Sequence, residues 1–491
     1  MTHHRLVIGL GESGMALVRH AVRTATPVTV YDSREMSALA TQLAVLKEKY
    51  PDVQAHCGAF DAAYLDGITE VVLSPGLSPH AEPLKTILSA AQAREIPVLG
   101  ELAVFTRALD ELKHTQDYQA KVLAVTGTNG KTTVTSLTRH LCQSVGVHAV
   151  AAGNISPSML DALCDALDND SLPQVWVLEL SSFQLQFAQG FNPDAATVLN
   201  ISQDHLDWHA DMAEYVQAKA QIFGADTVQV LNRDDAAVMA MAQAQSEQIN
   251  FGIHAPTEAG DSGLWREGGM DWLCVALADE VLVEKKKRGQ EAAPVQVSLQ
   301  RLMPADALQI RGRHNAMNAL AALALCRAID LPLAKLLHGL RDYKGEPHRV
   351  QWIANINGVD FYDDSKGTNV GASLAAIEGL GQKIILIAGG DGKGQDFTPM
   401  VDAVQAHVVQ VCLIGKDAAL IEQAWQDCGV PMQTFDSLEA ASKAAAQSAQ
   451  AGQAVLLSPA CASLDMFKNY AHRAQVFVDS VNEWANDMGQ V

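Results

Sequence analysis

Residues 121–146 read KVLAVTGTNGKTTVTSLTRHLCQSVG, and this stretch decides the fold. Residues 122–125 are apolar and partly β-branched, the pattern of a short buried strand. Gly127 and Gly130 interrupt it, and Lys131, Thr132 and Thr133 open a helix. Val134, Leu137, Leu141 and Val145 share one face of that helix, and Gly146 is its expected stop. A strand, a glycine turn and a helix N-terminus make an anion site, because free backbone N–H groups and the helix dipole both favour phosphate. In that reading Gly127, Thr128, Asn129, Gly130 and Thr133 wrap the phosphates, Lys131 reaches the β/γ-phosphates, and the Thr132 hydroxyl sits on magnesium. The turn is tighter than the full P-loop pattern, which places a glycine where Val125 stands. The competing reading is a glycine turn carrying a surface lysine.

Working outward, 491 residues suggest about three domains. Hydrophobic residues make up 48% of the chain, enough for real cores, yet no apolar run is as long as a membrane span. The opening MTHHRLVIGLGESG enters a strand at once, so no signal peptide is expected. Cys57, Cys142, Cys164, Cys274, Cys326, Cys412, Cys428 and Cys461 form no C-x-x-C pair. Buried thiols in a reducing, cytoplasmic setting are the expectation. A net charge of −21 argues against a nucleic-acid partner, which needs a basic patch. An anionic substrate must then be held by a few local cations and by backbone N–H groups.

Toward the N-terminus, residues 6–10 form a strand that runs into Gly9, Leu10, Gly11, Glu12, Ser13 and Gly14, a G-x-G-x-x-G turn before an apolar helix. A second strand over 28–31 ends in Asp32, 21 positions beyond Gly11. Three readings fit: a dinucleotide crevice, glycines that only permit close packing, or a site for the diphosphate of another nucleotide with Asp32 near its ribose or base. A further strand ends in Ser74 and Gly76, at the edge where open α/β sheets bind ligands.

Beyond the glycine turn, residues 175–180 form a buried strand with Glu179 near its C-terminal end. A carboxylate in so apolar a strand is expensive unless it is paired, and a metal role beside the phosphates fits it. The strand over 196–201 leads to His205 on the same rim. Lys219 lies in a helical stretch over 212–223, and on spacing alone it is a surface lysine. Residues 254–305 read as an irregular solvated insertion without chemistry, including the run Glu284, Lys285, Lys286, Lys287, Arg288. Asn315 and Asn318 lie one turn apart at the start of an Ala/Leu-rich helix, either as caps or as donors to a base or phosphate.

The last third alternates strand and helix. Strands over 359–362, 384–388 and 455–457 deliver polar loops carrying Lys366, Lys393 and Ser463, a group able to grip a small acidic molecule.

Taken in order, TGTNGKTT (126–133), LELSSFQL (178–185), LNISQDHLD (199–207), GRHNAMNALAA (312–322), PHR (347–349), DDSKGTN (363–369), GGDGK (389–393) and LSPACASLD (457–465) resemble the ATP-dependent Mur ligases of peptidoglycan synthesis. The resemblance implies an α/β chain of three domains: a Rossmann-like UDP-sugar domain over 1–101, a central P-loop ATPase-like domain with a parallel sheet over 102–345, and a C-terminal Rossmann-like amino-acid domain over 346–491. It implies that Gly11, Glu12, Ser13, Gly14, Asp32, Ser33, Arg34, Ser74, Gly76 and Asn154 hold the UDP-sugar. Asn315, Asn318, His348, Arg349 and Asp364 would join the glycine turn around ATP. Thr132, Glu179 and His205 would hold metal, with Lys219 as a carbamate ligand for a second Mg²⁺, so that Lys131, His205 and Lys219 form the catalytic set. Lys366, Thr368, Lys393, Ser463, Leu464 and Tyr470 would bind D-glutamate.

The implied reaction ligates D-glutamate to UDP-N-acetylmuramoyl-L-alanine through an acyl phosphate, by a cytoplasmic monomer using ATP and two Mg²⁺, with no nucleic-acid or membrane partner. A hinge is expected near residues 344–347. Three departures stand out: the GLGESG turn puts Glu12 where its contacts are unassigned, Tyr470 carries a hydroxyl at an aromatic position, and the insertion over 254–305 is longer than the resemblance leads one to expect. A nicotinamide-dependent oxidoreductase and a nucleotide-gated switch are the competing classes.

Overall fold

The strand Lys121–Thr126 and the helix Lys131–Ser144 form as the glycine turn demands, in a computed structural model that describes residues 3–206, 208–278 and 297–489. Gly127 and Gly130 have φ of 145° and 86°, and a Cβ at Gly130 would lie 2.7 Å from Asn318 Oδ1. Only glycine tolerates both conditions.

The strand sits inside a nine-stranded sheet. From one edge the order is Val297–Pro304, Met270–Ala278, Ser262–Glu267, Gln248–Gly252, Val228–Asn232, Ala195–Val198, Lys121–Thr126, Val175–Glu179 and Ala149–Gly153. Its central strands are parallel and buried, which is why they read as near-continuous apolar runs. A smaller parallel sheet orders Gln54–Cys57, Val28–Asp32, Arg5–Ile8, Glu70–Leu73 and Val98–Gly100. The helix Glu101–Gln116 leads from the smaller sheet to the larger one. Its Leu102, Phe105 and Leu112 join Leu99, Trp176 and Leu178 in one continuous core, with Phe105 edge-on to Trp176 at 5.3 Å. A third, six-stranded sheet runs Gln351–Ile356, Val359–Asp363, Gln453–Leu457, Lys383–Gly389, Val408–Ile414 and Met432–Thr434, antiparallel only in its first pair. Its two faces are covered by separate apolar clusters, one around Leu386 and Trp425, the other around Ile387 and Phe477.

The chain divides into two compact units. One comprises the described part of Met1–Arg266, Trp272–Met303 and Asn318–Leu340; the other comprises Glu267–Asp271, Pro304–Met317 and the described part of Arg341–Val491. Among the described residues no helix is long and apolar enough to cross a membrane. All eight cysteines are free thiols and all but Cys57 are buried, as their apolar surroundings suggested.

The stretch over 254–305 departs from its expected irregularity. Ser262–Glu267, Met270–Ala278 and Val297–Pro304 are strands of the large sheet. Gly268 and Gly269, with φ of 61° and 83°, supply the two-residue turn that joins the first pair. The basic run over 284–288 lies outside the described residues.

Candidate active site

The glycine turn aims its own lysine inward. Lys131 Nζ donates to the carbonyls of Gly127 and Thr128, each at 2.8 Å. Asn129 N–H is held by Asn200 Oδ1 at 2.8 Å, and the Thr128 N–H by the Asn200 carbonyl at 2.9 Å. Thr128 Oγ1 takes the Ser202 N–H at 3.0 Å and meets the Tyr215 hydroxyl at 2.9 Å. The turn is thus braced by the next strand's exit loop before any phosphate arrives.

Beside it lies Glu179. Its strand pairs with the turn's strand in the register Val125↔Glu179, which places the carboxylate at the base of the turn. Glu179 is buried; Oε1 accepts from Asn154 Nδ2 at 2.8 Å, while Oε2 is buried with no hydrogen-bond partner. An orphaned buried carboxylate oxygen is expensive, and a hard cation there satisfies it. With the Thr132 side chain in the first turn of the helix, the donors present are oxygens, the set Mg²⁺ takes. Among the described residues, no three His, Cys, Asp or Glu side chains gather as a metal cluster.

Lys219 corrects its sequence reading. It is 1% exposed, not a surface residue, and donates to the Gly127 carbonyl at 3.0 Å and to Thr126 Oγ1 at 3.3 Å. Its ammonium lies 4.7 Å from the centre of the Tyr215 ring. Burial, and then the neighbouring charge of Lys131, hold its pKa well below the usual 10.5. His205 sits on the same rim with φ of 56°, its ring edge-on to Phe183 at 4.7 Å and its Nε2 3.6 Å from Asp204. His209, which the sequence reading passed over, is buried behind it, bonded to Ser182 Oγ at 2.9 Å and packed against Trp208 and Tyr215.

In the smaller sheet, a Cβ at Gly14 would collide with the Gly9 carbonyl oxygen, so that glycine serves close packing. Gly11 and Gly76 have open space above them. Asp32 accepts from the Leu10 N–H at 2.8 Å and makes two bonds with the Arg34 guanidinium, at 2.9 and 2.7 Å. Burial pushes its pKa up, but these donors outweigh that and hold it below the usual range. Ser74 Oγ donates to the Gly9 carbonyl at 3.0 Å. Glu12 accepts from Ser156 Oγ at 3.0 Å, which gives the unassigned side chain a partner.

In the six-stranded sheet the three polar loops are tied together. Asp391 and Ala462 exchange backbone hydrogen bonds at 3.0 and 2.9 Å, joining the loop of Lys393 to the loop of Ser463. His348 Nδ1 meets Asp363 Oδ2 at 2.7 Å, and the His348 carbonyl accepts the Lys366 N–H at 3.1 Å. The Tyr470 ring lies 5.6 Å from Lys366 Nζ and edge-on to His348 at 6.1 Å. Asp364 is buried against Ser458 Oγ at 2.7 Å, and desolvation raises its pKa to about 7. Ser463 is buried, whereas Leu464 is 71% exposed. Thr368 N–H bonds the Lys366 carbonyl at 3.0 Å. On the helix Arg313–Ala328, Asn315 Nδ2 donates back to the Arg311 carbonyl at 2.7 Å.

Arg473 was missed. It is completely buried and donates to the Cys461 carbonyl at 3.1 Å and the Ser365 carbonyl at 2.7 Å, clasping two of the three loops. Nothing local in the helix Tyr470–Asp487 marks it; only the fold brings those carbonyls to it.

Comparison with known proteins adds three family matches. Residues 3–100 match the Mur ligase MurD-like N-terminal domain, 125–326 the Mur ligase middle domain, and 348–461 the Mur ligase glutamate ligase domain. The chain is 52% identical to the UDP-N-acetylmuramoylalanine–D-glutamate ligase of Paraburkholderia xenovorans and 55% identical to that of Burkholderia thailandensis, over 99% of this chain and 97% of each relative. Among solved structures it is similar to the UDP-N-acetylmuramate-alanine ligase of Thermotoga maritima, with a TM-score of 0.56 at 18% identity, covering 99% of this chain and 100% of that one. The MurF ligase of the same organism in complex with ADP gives 0.56 at 16% identity, covering 87% and 91%. At such identities these structures speak for the fold alone.

Proposed function

Because the chain belongs to the Mur ligase family, we propose that it joins D-glutamate to UDP-N-acetylmuramoyl-L-alanine with consumption of ATP, a step of peptidoglycan precursor synthesis. Mur ligases are ATP-dependent and use Mg²⁺. The observation that carries the reading is Glu179 Oε2, buried and unpaired on the strand next to the glycine turn. An oxidoreductase using residues 9–14 would leave this oxygen and both buried-side lysines without a task.

A carboxylate is a poor electrophile, since an amine cannot expel oxide. Transfer of the γ-phosphoryl group to the L-alanyl carboxylate supplies a leaving group, and attack by the D-glutamate amine then gives the amide and phosphate. Positioning and charge neutralisation do most of this work. Mg²⁺, when bound, neutralises the crowded phosphate oxygens. Thr132, Glu179 and His205 would hold it. Lys131 exchanges the Gly127 and Thr128 carbonyls for the β/γ-phosphate oxygens. Lys219, whose pKa burial pushes well below its usual value, is the amine assigned to add to CO₂; its nitrogen would bond the carbon, one proton would leave, and the anionic carbamate would supply the further ligand for a second Mg²⁺. Asn315, Asn318, His348, Arg349 and Asp364 contact ATP in this reading. Gly11, Glu12, Ser13, Gly14, Asp32, Ser33, Arg34, Ser74, Gly76 and Asn154 hold the UDP-sugar. Lys366, Thr368, Lys393, Ser463, Leu464 and Tyr470 hold D-glutamate. We place the domain limits at 101/102 and 345/346, and the enzyme in the cytoplasm as a monomer.

The test is phosphate release from ATP with UDP-N-acetylmuramoyl-L-alanine, with and without D-glutamate. Sustained release only when all three are present supports the reading; release indifferent to D-glutamate contradicts it.

A further inference from the structure

The loop that carries Lys393 is held from outside by the turn over 415–417. Gly415, Lys416 and Asp417 leave the strand Val408–Ile414 and enter the helix Ala418–Trp425. Asp417 stands at the cap position of that helix, yet its side chain accepts no N–H of the helix. Its Oδ2 instead accepts the Gly392 N–H at 2.7 Å, and its own N–H donates to the Gly390 carbonyl at 3.0 Å. The turn also reaches the loop of Ser463, because the Lys416 N–H donates to Asp465 Oδ2 at 2.9 Å. A Cβ on Gly415 would lie 2.6 Å from Asp465 Oδ2 and 2.7 Å from the Gly390 Cα, so the turn sits tight against both loops.

Three successive amides of the lysine loop are fixed as a result. The Asp391 N–H goes to the Ala462 carbonyl at 3.0 Å, the Gly392 N–H to Asp417, and the Lys393 N–H to Asp391 Oδ1 at 3.1 Å. Lys393 has a φ of 51°, a left-handed backbone that a lysine keeps only where its surroundings impose it. Of the three acceptors, the Asp417 carboxylate is the one charge that comes from a separate element, and a charge-assisted bond is roughly twice as strong as a neutral one. An aspartate serving its own helix would turn that carboxylate to the helix N–H groups. Here it is turned to the neighbouring loop.

We infer that Asp417 is a positioning residue for Lys393: by holding the Gly392 N–H it keeps the turn in the form that presents the lysine to the incoming amino acid. This rests on the D-glutamate role proposed above for Lys393. A lysine on a slack turn would have to be ordered by its ligand at the expense of affinity, so loss of the clasp acts on D-glutamate and spares the nucleotide.

The test is steady-state kinetics of the full chain with each substrate varied in turn. Asp417→Ala is expected to raise the KM for D-glutamate about tenfold, the scale of one lost hydrogen bond to a charged group, while the KM for ATP and for the UDP-linked substrate stays within about twofold. Asp417→Asn, which keeps an acceptor oxygen at the same reach, is expected to recover most of the loss. A double-mutant cycle with Lys393→Ala tests the route: in that background Asp417→Ala should add less than about twofold, since no lysine is left to aim. An unchanged KM for D-glutamate in Asp417→Ala, equal losses for all three substrates, or an undiminished loss in the Lys393→Ala background overturns the inference. If Asp417→Ala does not fold, Asp417→Ser, able to cap the helix but too short for Gly392, is expected to show the same pattern, and its absence overturns the inference too. A KM for D-glutamate that Lys393→Ala leaves unchanged removes the proposed D-glutamate role of Lys393, and the inference with it.

Discussion

Lys131 and Lys219 donate to the same carbonyl oxygen, that of Gly127, at 2.8 and 3.0 Å. Two ammonium groups on one acceptor repel, and burial together with the charge of Lys131 pushes the pKa of Lys219 well below its usual value. The lowered pKa favours the free amine, the form that adds to CO₂.

Carbamylation of Lys219 is testable directly. Protein equilibrated with ¹³C-bicarbonate should show a carbamate carbon resonance that is missing in Lys219→Ala, and that variant should lose ligase activity by about a thousandfold, the scale of a lost group that acts on transition-state charge. A Lys219→Ala enzyme of normal activity would remove the carbamate from the account.

Gly130 admits no side chain. At φ of 86°, with Asn318 Oδ1 2.7 Å from where a Cβ would stand, Gly130→Ala should raise the KM for ATP while leaving binding of the UDP-linked substrate unaffected. Steady-state kinetics with each substrate varied in turn would show this; an unchanged KM for ATP would contradict the phosphate role of the turn.

Arg473 clasps the loops of Ser365 and Cys461 from within. Arg473→Met removes two charged donors and leaves both carbonyls bare, so the KM for D-glutamate should rise at least about tenfold. ATP binding should change far less. Equal losses for both substrates would mean a general loss of fold.

His209 supplies a pH signature. Burial lowers its pKa from 6.5 to about 4, so it is neutral in the fold, whereas the unfolded chain takes up a proton below 6.5. Its contribution to stability is full above 6.5 and falls away as pH drops toward about 4. His20 and His314, also lowered to about 4 by burial, act in the same direction. Urea melts at pH 7 and pH 5 should show a smaller loss for His209→Asn than for wild type; an equal loss would rule His209 out as a source.

Where sequence reading succeeded, the signal was local. The turn of Gly127 and Gly130, the strand before it and the apolar stripe after it are set by near neighbours, and Glu179 was legible because a lone acid in an apolar strand demands a partner. Lys219 was not, because its burial depends on Thr126 and Gly127, some 92 positions away. Arg473 escaped for the same reason: its partners are loop carbonyls that only the sheet brings near. The stretch over 254–305 was misjudged differently. Its Gly268-Gly269 pair is a hairpin signal between two strand-like runs, and the basic run further on drew attention from it.

The central claim is that the glycine turn at Lys131 drives ligation. The most direct measurement is phosphate release from ATP in the presence of UDP-N-acetylmuramoyl-L-alanine and D-glutamate, for wild type and Lys131→Ala. The account predicts release that requires D-glutamate in the wild type and is abolished in the variant; full turnover by Lys131→Ala would contradict it.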